Sequence, residues 1–143
     1  MSSRLVRDVI AGQQLVALPK EATVAAAAKT MKNSNIGAII VTDNGCLAGV
    51  FTERDGIQRV IAENVDPVST ALSQVMSWGI ITVTMDTPVS RVIHIMHENN
   101  FRHVPVVDRL GAPLGMVSIR DVLGDEVLSL YDQQDHPSTE IVD

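Results

Sequence analysis

The chain has 143 residues, 45% of them apolar and 20% charged, which suits one ordinary domain or two very small ones folded as a soluble globule. A formal net charge of −6 argues against a general nucleic-acid binder, and a single cysteine, Cys46, excludes an internal disulfide. The opening MSSRLVRDVIAGQQ has no apolar stretch long enough for a signal peptide, and no run approaches the roughly 20 apolar residues of a membrane span, so a cytoplasmic, membrane-free protein is expected.

In chain order, the short apolar stretch Leu15 to Leu18 reads as a strand. PKEATVAAAAKTMKNSN follows, with Val24, Ala27, Ala28 and Met31 at helical spacing and with Pro19 and Thr23 suited to the approach of a helix N-terminus. GAIIVT is a β-branched buried run, NG is a hairpin signal, and LAGVFT is the return strand. ERDGIQRVIAEN begins a second helix, with Ile57, Val60 and Ile61 expected on one face. DPVSTALSQVMSWG links to the second half and is expected to hold a short helix from about Ser69 to Met76. There IITVT reads as a strand and PVSRVIHIMHENN as a helix with Pro88 near its first position. HVPVVD and PLGMVS form a hairpin, and IRDVLGDEVLSL is the closing helix. The tail after Tyr131 is polar and is expected to be mobile.

The two halves are one unit written twice. An offset of 65 aligns Val24 with Val89, Met31 with Met96, Asn35 with Asn100, Val41 with Val106 and Asp43 with Asp108. The offset becomes 66 in the hairpin turn, and Gly49, Arg54 and Asp55 then meet Gly115, Arg120 and Asp121. The order is β-α-β-β-α in each half, an α/β arrangement of the α+β type, with repeats at 4–66 and 67–131 and the tail at 132–143. Half a unit cannot bury its apolar sheet face alone. The two repeats are therefore expected to pack around a pseudo-twofold axis, which creates two equivalent clefts.

GVFTERD and GMVSIRD each place a hydroxyl residue and Arg-Asp where a strand ends and a helix begins. Thr52 or Ser118 can cap the helix, with Asp55 or Asp121 near its third position bonding back to the cap. The same acid could instead face a cleft and accept hydrogen bonds from paired ligand hydroxyls, because an ionised carboxylate is acceptor-only with two oxygens. Duplication alone does not choose between these readings, since ancestry would copy a cap too.

The chain resembles a tandem pair of cystathionine-β-synthase (CBS) domains, the Bateman module, from about residue 4 to 130. The resemblance rests on GVFTERD and GMVSIRD closing each copy, on FRHVPVVD, on VMSWGIITVTMDTPV, and on the β-α-β-β-α order. It implies clefts for adenosine-containing ligands, AMP, ADP or ATP first and S-adenosylmethionine or NAD(H) as alternatives. The aspartate would hold the ribose hydroxyls, apolar strand residues the adenine, and basic second-strand residues the phosphates. Carried over residue by residue, cleft one combines Thr52, Arg54 and Asp55 with Ile80, Ile81, Phe101, Arg102 and His103. Cleft two combines Ser118, Arg120 and Asp121 with Leu15, Val16, Ile36, Gly37 and Ala38. Gly37-Ala38 thus stands where the other cleft has Arg102-His103, so loss of Asp55 is expected to weaken nucleotide binding more than loss of Asp121.

Other features read as ordinary structure. His94 and His97 are three apart on a helix, a spacing that can bind zinc, but they are read as surface or half-buried residues, and no metal or resident cofactor is expected. Trp78 is expected to pack over the core between the halves, and Arg54 and Arg120 are either solvated or phosphate contacts. No nucleophile motif, P-loop, zinc signature or dinucleotide fingerprint is present, so no catalytic residue is assigned and the chain is read as a non-enzyme. The expectation is a regulatory nucleotide sensor that acts on an unknown partner protein, with a ligand-free interaction protein as the alternative. A homodimer is expected because Val60, Ile61, Val127 and Leu128 have no obvious intrachain cover.

Overall fold

The computed structural model describes residues 4–122. Two similar units follow one another. In the first, β1 (Ala17–Pro19) pairs parallel with β2 (Ala38–Asp43), which turns at Asn44-Gly45 and pairs antiparallel with β3 (Cys46–Thr52). In the second, β4 (His103–Val107) pairs antiparallel with β5 (Pro113–Ser118). Helix α2 (Val24–Ser34) precedes the first hairpin and α4 (Val89–Asn99) the second. Each helix ends at an asparagine in the left-handed conformation, Asn35 and Asn100, the C-cap residue that short polar side chains tolerate.

Each unit's core is completed by a segment from outside its own helix and hairpin. The short helix α1 (Val6–Val9) packs Val6 and Ile10 into the second core, among Val89, Val92, Val104 and Val117. The linker packs Leu72, Val75 and Met76 into the first core, among Val24, Ala27, Ile39 and Phe51. The matching backbone bonds run from Val6 N–H to Thr87 O (2.8 Å) and from Leu72 N–H to Ala22 O (2.8 Å). A fully buried Val, Leu or Met contributes about 1.5–3 kcal/mol each, so α1 and the linker are integral to the cores they enter.

The repeated glycines have a packing cause. Ser77 crosses β3 at Gly49, where its N–H donates to Val50 O (2.8 Å) and its carbonyl accepts from Val50 N–H (3.2 Å). A Cβ on Gly49 would run into the Ser77 carbonyl oxygen. At the matching place on β5, the Gln13 side chain does what the Ser77 backbone does. Its Nε2 donates to Met116 O (3.0 Å) and its Oε1 accepts from Met116 N–H (2.8 Å). A Cβ on Gly115 would lie 2.8 Å from Gln13 Oε1.

Several expectations need correction. The first strand is Ala17–Pro19, so Leu15 and Val16 precede it. IITVT is not a strand. Only Val83 bridges to β4, because Gly79 turns with φ +61° before it and Thr84 enters a turn closed by the Thr87 hydroxyl after it. The linker helix shrinks to one 3₁₀ turn, Leu72–Gln74, because the Leu72 and Ser73 N–H groups are bonded to Ala22 and Lys20 carbonyls. Pro88 is the N-cap of α4. The second helix of the first unit is a three-residue start, α3 (Glu53–Asp55), that widens into a π-helical stretch, Gly56–Ile61. That wider turn separates the expected face. Val60 is buried in the first core, while Ile57 and Ile61 are 61% and 70% exposed. Trp78 is likewise 60% exposed. Helical structure begins at Ile119, and the residues after Val122, with Val127, Leu128 and the tail, lie outside the described residues. No helix among the described residues is long and apolar enough to cross a membrane.

Candidate functional site

Two cavities lie between the units. The larger, about 330 Å³, is lined by all eight residues assigned to cleft two: Leu15, Val16, Ile36, Gly37, Ala38, Ser118, Arg120 and Asp121. The smaller, about 190 Å³, is lined by all eight assigned to cleft one: Thr52, Arg54, Asp55, Ile80, Ile81, Phe101, Arg102 and His103. The geometry follows from the strand-to-helix turns, which put each Asp at a cavity rim while the facing unit supplies apolar wall.

Arg102, His103, Glu53 and Gly37 line both cavities. The expectation that the Arg-His pair serves one cleft alone is therefore corrected: these side chains stand at the partition, and the larger cavity has second-strand charge after all. His103 is pulled below its ordinary pKa, first by burial and then by the Arg102 and Arg120 charges, with Glu53 and Asp121 pulling the other way.

Both acids close a capping box. Thr52 N–H donates to Asp55 Oδ2 (3.0 Å) while Asp55 N–H donates to Thr52 Oγ1 (3.1 Å). Ser118 N–H donates to Asp121 Oδ2 (3.0 Å) while Asp121 N–H donates to Ser118 Oγ (3.2 Å). The capping reading is observed in both copies, and the cap takes one oxygen, Oδ2, of each carboxylate.

Beyond the cap the acids differ. Asp55 is 5% exposed, and the Ser77 hydroxyl donates to both its oxygens, at 3.1 Å to Oδ1 and 3.2 Å to Oδ2. Arg59 Nε lies 3.8 Å from Oδ1, and its Nη1 donates to the Met76 carbonyl (2.8 Å), tying the linker to the acid. Asp121 is exposed, and the Ser118 N–H is its carboxylate's single hydrogen-bond donor among the described residues.

The sequence reading missed Ser77, Glu53 and Gln13. Ser77 sits within VMSWG, and its counterpart is set by the structure: Val24 N–H donates to Thr70 O as Val89 N–H donates to Arg4 O, which puts this segment 66 residues after the N-terminal one and Ala11 opposite Ser77. Nothing local marked Glu53 or Gln13. His94 pairs with Glu98 (3.3 Å), a carboxylate one turn away that the reading had passed over. Among the described residues no group of three or more His, Cys, Asp or Glu could hold a metal ion.

A tandem pair of helix-and-hairpin units with paired inter-unit clefts defines a class, and the CBS domain description matches the chain twice, over residues 6–61 and 72–126. The chain belongs to the CBS domain family. It is 40% identical over 106 residues to the CBS domain-containing protein CBSX3, mitochondrial, of Arabidopsis thaliana; that stretch is 71% of this chain and 51% of the relative, so the chain spans about half that protein's length. Among solved structures it is similar to the CBS domain protein PAE2072 from Pyrobaculum aerophilum complexed with AMP, with TM-score 0.79, 27% identity and coverage of 90% of this chain and 97% of that one. It is also similar to the CBS domain pair of protein MJ0100 in complex with 5′-methylthioadenosine and S-adenosyl-L-methionine, with TM-score 0.76, 26% identity and coverage of 92% and 98%.

Proposed function

We propose that the chain is a non-catalytic regulatory module that binds an adenosine-containing ligand, AMP, ADP or ATP first, in the clefts between its units. One observation carries the reading. The larger cavity joins an exposed acceptor carboxylate, Asp121, to the Arg102 guanidinium, with the His103 imidazole beside it, and to apolar walls of Leu15, Val16, Ile36 and Ile40. Those are the three chemistries a nucleotide presents: vicinal hydroxyls, phosphate and a flat base. The AMP-bound and S-adenosylmethionine-bound relatives support the ligand class.

Occupancy would be reported through the angle between units or between subunits, which a ligand biases only by its differential affinity for the two states. The exposed Ile57 and Ile61 support a homodimer as the reporting assembly.

The test is thermal unfolding with AMP, ATP, NADH and S-adenosylmethionine. A ligand present at 100 times its dissociation constant stabilises by about 2.7 kcal/mol. A melting temperature unmoved by all four would overturn the reading and favour a ligand-free interaction protein.

A further inference from the structure

We propose that Ser77 is a built-in occupant of the first cleft, so that an adenosine ligand fills the Asp121 cleft first and reaches the Asp55 cleft only by displacing the Ser77 hydroxyl. This rests on the adenosine-binding reading above and concerns the order in which the two clefts fill.

The Ser77 hydroxyl donates to both Asp55 oxygens, the place a ligand diol needs, and it does so on a carboxylate that is otherwise buried and capped. Ser77 itself lines the smaller cavity. Its backbone is pinned to Val50 on both N–H and carbonyl, so the hydroxyl can leave only by rotating about its own side chain. The rotation must break a hydrogen bond to a charged group before a ligand bond can form, and a bond of that kind is stronger than one between neutral partners.

Among the described residues the second cleft has no such device. The counterpart of Ser77 is Ala11, which carries no hydroxyl. After it the chain turns out through Gly12, at φ +79°, and the Gln13 amide takes over the bonds that Ser77 makes with its backbone. Replacing backbone by side chain at this crossing therefore removes the internal donor from Asp121. By the same offset Arg59, which braces Asp55, corresponds to Asp125, an acid. The two copies thus differ in sequence at both positions that satisfy the first acid, and among the described residues the acid of the larger cavity has only its cap.

Isothermal titration of AMP into the full chain, with the variants Asp121→Asn, Asp55→Asn, Ser77→Ala and Ser77→Thr, tests the proposal. Asparagine keeps the capping oxygen, so both acid variants retain the helix start. The expected result is a tight event in the wild type that Asp121→Asn removes and Asp55→Asn leaves in place. Ser77→Ala should strengthen a second event about tenfold or more, in keeping with loss of a charge-assisted competitor. Adding Asp55→Asn should cancel that gain, and Ser77→Thr, which restores the hydroxyl, should behave as the wild type. Removal of the tight event by Asp55→Asn, or an unchanged second event in Ser77→Ala, would overturn the order of filling while leaving adenosine binding intact. Should Ser77→Ala fail to fold, the two asparagine variants still decide the order. A wild type that takes up no AMP, ATP or S-adenosylmethionine would overturn the underlying reading and this inference with it.

Discussion

The Glu53 carboxylate and the His103 imidazole converge over the Cα of Gly37. A methyl group placed there would lie 3.0 Å from Glu53 Oε1 and 3.5 Å from His103 Cε1. Gly37 is thus the thin point of the wall between the two cavities. The acid from the first unit and the base from the second meet across it.

The burial that lowers the His103 pKa makes stability depend on pH. In the folded chain the neutral imidazole is favoured, whereas the unfolded chain takes up a proton near the ordinary value of about 6.5. This contribution is therefore complete above that pH and is lost as pH falls from about 6.5 through the lowered folded value. Melts between pH 7.5 and 5 should show the decline, and His103→Gln should flatten that part of it. An equal decline in the variant would assign the pH dependence to other groups.

Arg102→Ala should weaken AMP binding while leaving adenosine binding nearly unchanged. A guanidinium pairs with phosphate through charge-assisted bonds and has no anion to meet on the nucleoside. The affinity for AMP should also fall with added salt in the wild type and fall less in the variant. Equal losses for both ligands would remove Arg102 from phosphate recognition.

Gly49→Ala should destabilise the fold by roughly 1–3 kcal/mol, because the added methyl meets the backbone carbonyl of Ser77, which the Val50 ladder bonds hold in place. Gly115→Ala should cost less. The atoms it meets, Gln13 Oε1 at 2.8 Å and Ile10 Cδ1 at 3.0 Å, end side chains that can shift. Urea unfolding of the two variants ranks them, and the reverse order would contradict the crossing geometry.

Light scattering at micromolar concentration should give twice the monomer mass. Ile57→Asp with Ile61→Asp should return the chain to a monomer without lowering its melting temperature strongly, since both side chains are already exposed. A monomeric wild type would remove the homodimer from the proposal.

Helix and hairpin assignments were legible because their signals are local. The Thr23 cap, the helical spacing of Val24, Ala27 and Met31, the Asn44-Gly45 turn and the repeated Gly-to-Asp motif each involve residues a few positions apart. The family resemblance was legible for the same reason. The failures also had local causes that propensity does not register. IITVT has the composition of a strand, but its neighbours turn the chain away after one bridge. The Ile57-Val60-Ile61 stripe assumed α-helical spacing where the turn is π-helical.

The sequence by itself determined two copies of one unit and the two acids at their strand-to-helix turns. Only the tertiary structure decided which acid is available. The Ser77 hydroxyl reaches Asp55 across 22 positions of chain, Gln13 reaches Met116 across 103, and Arg102 and His103 stand between both cavities because the units pack face to face. A hydrogen bond depends on a distance of about 3 Å and on direction, and residues far apart in sequence acquire that distance only when the cores have closed.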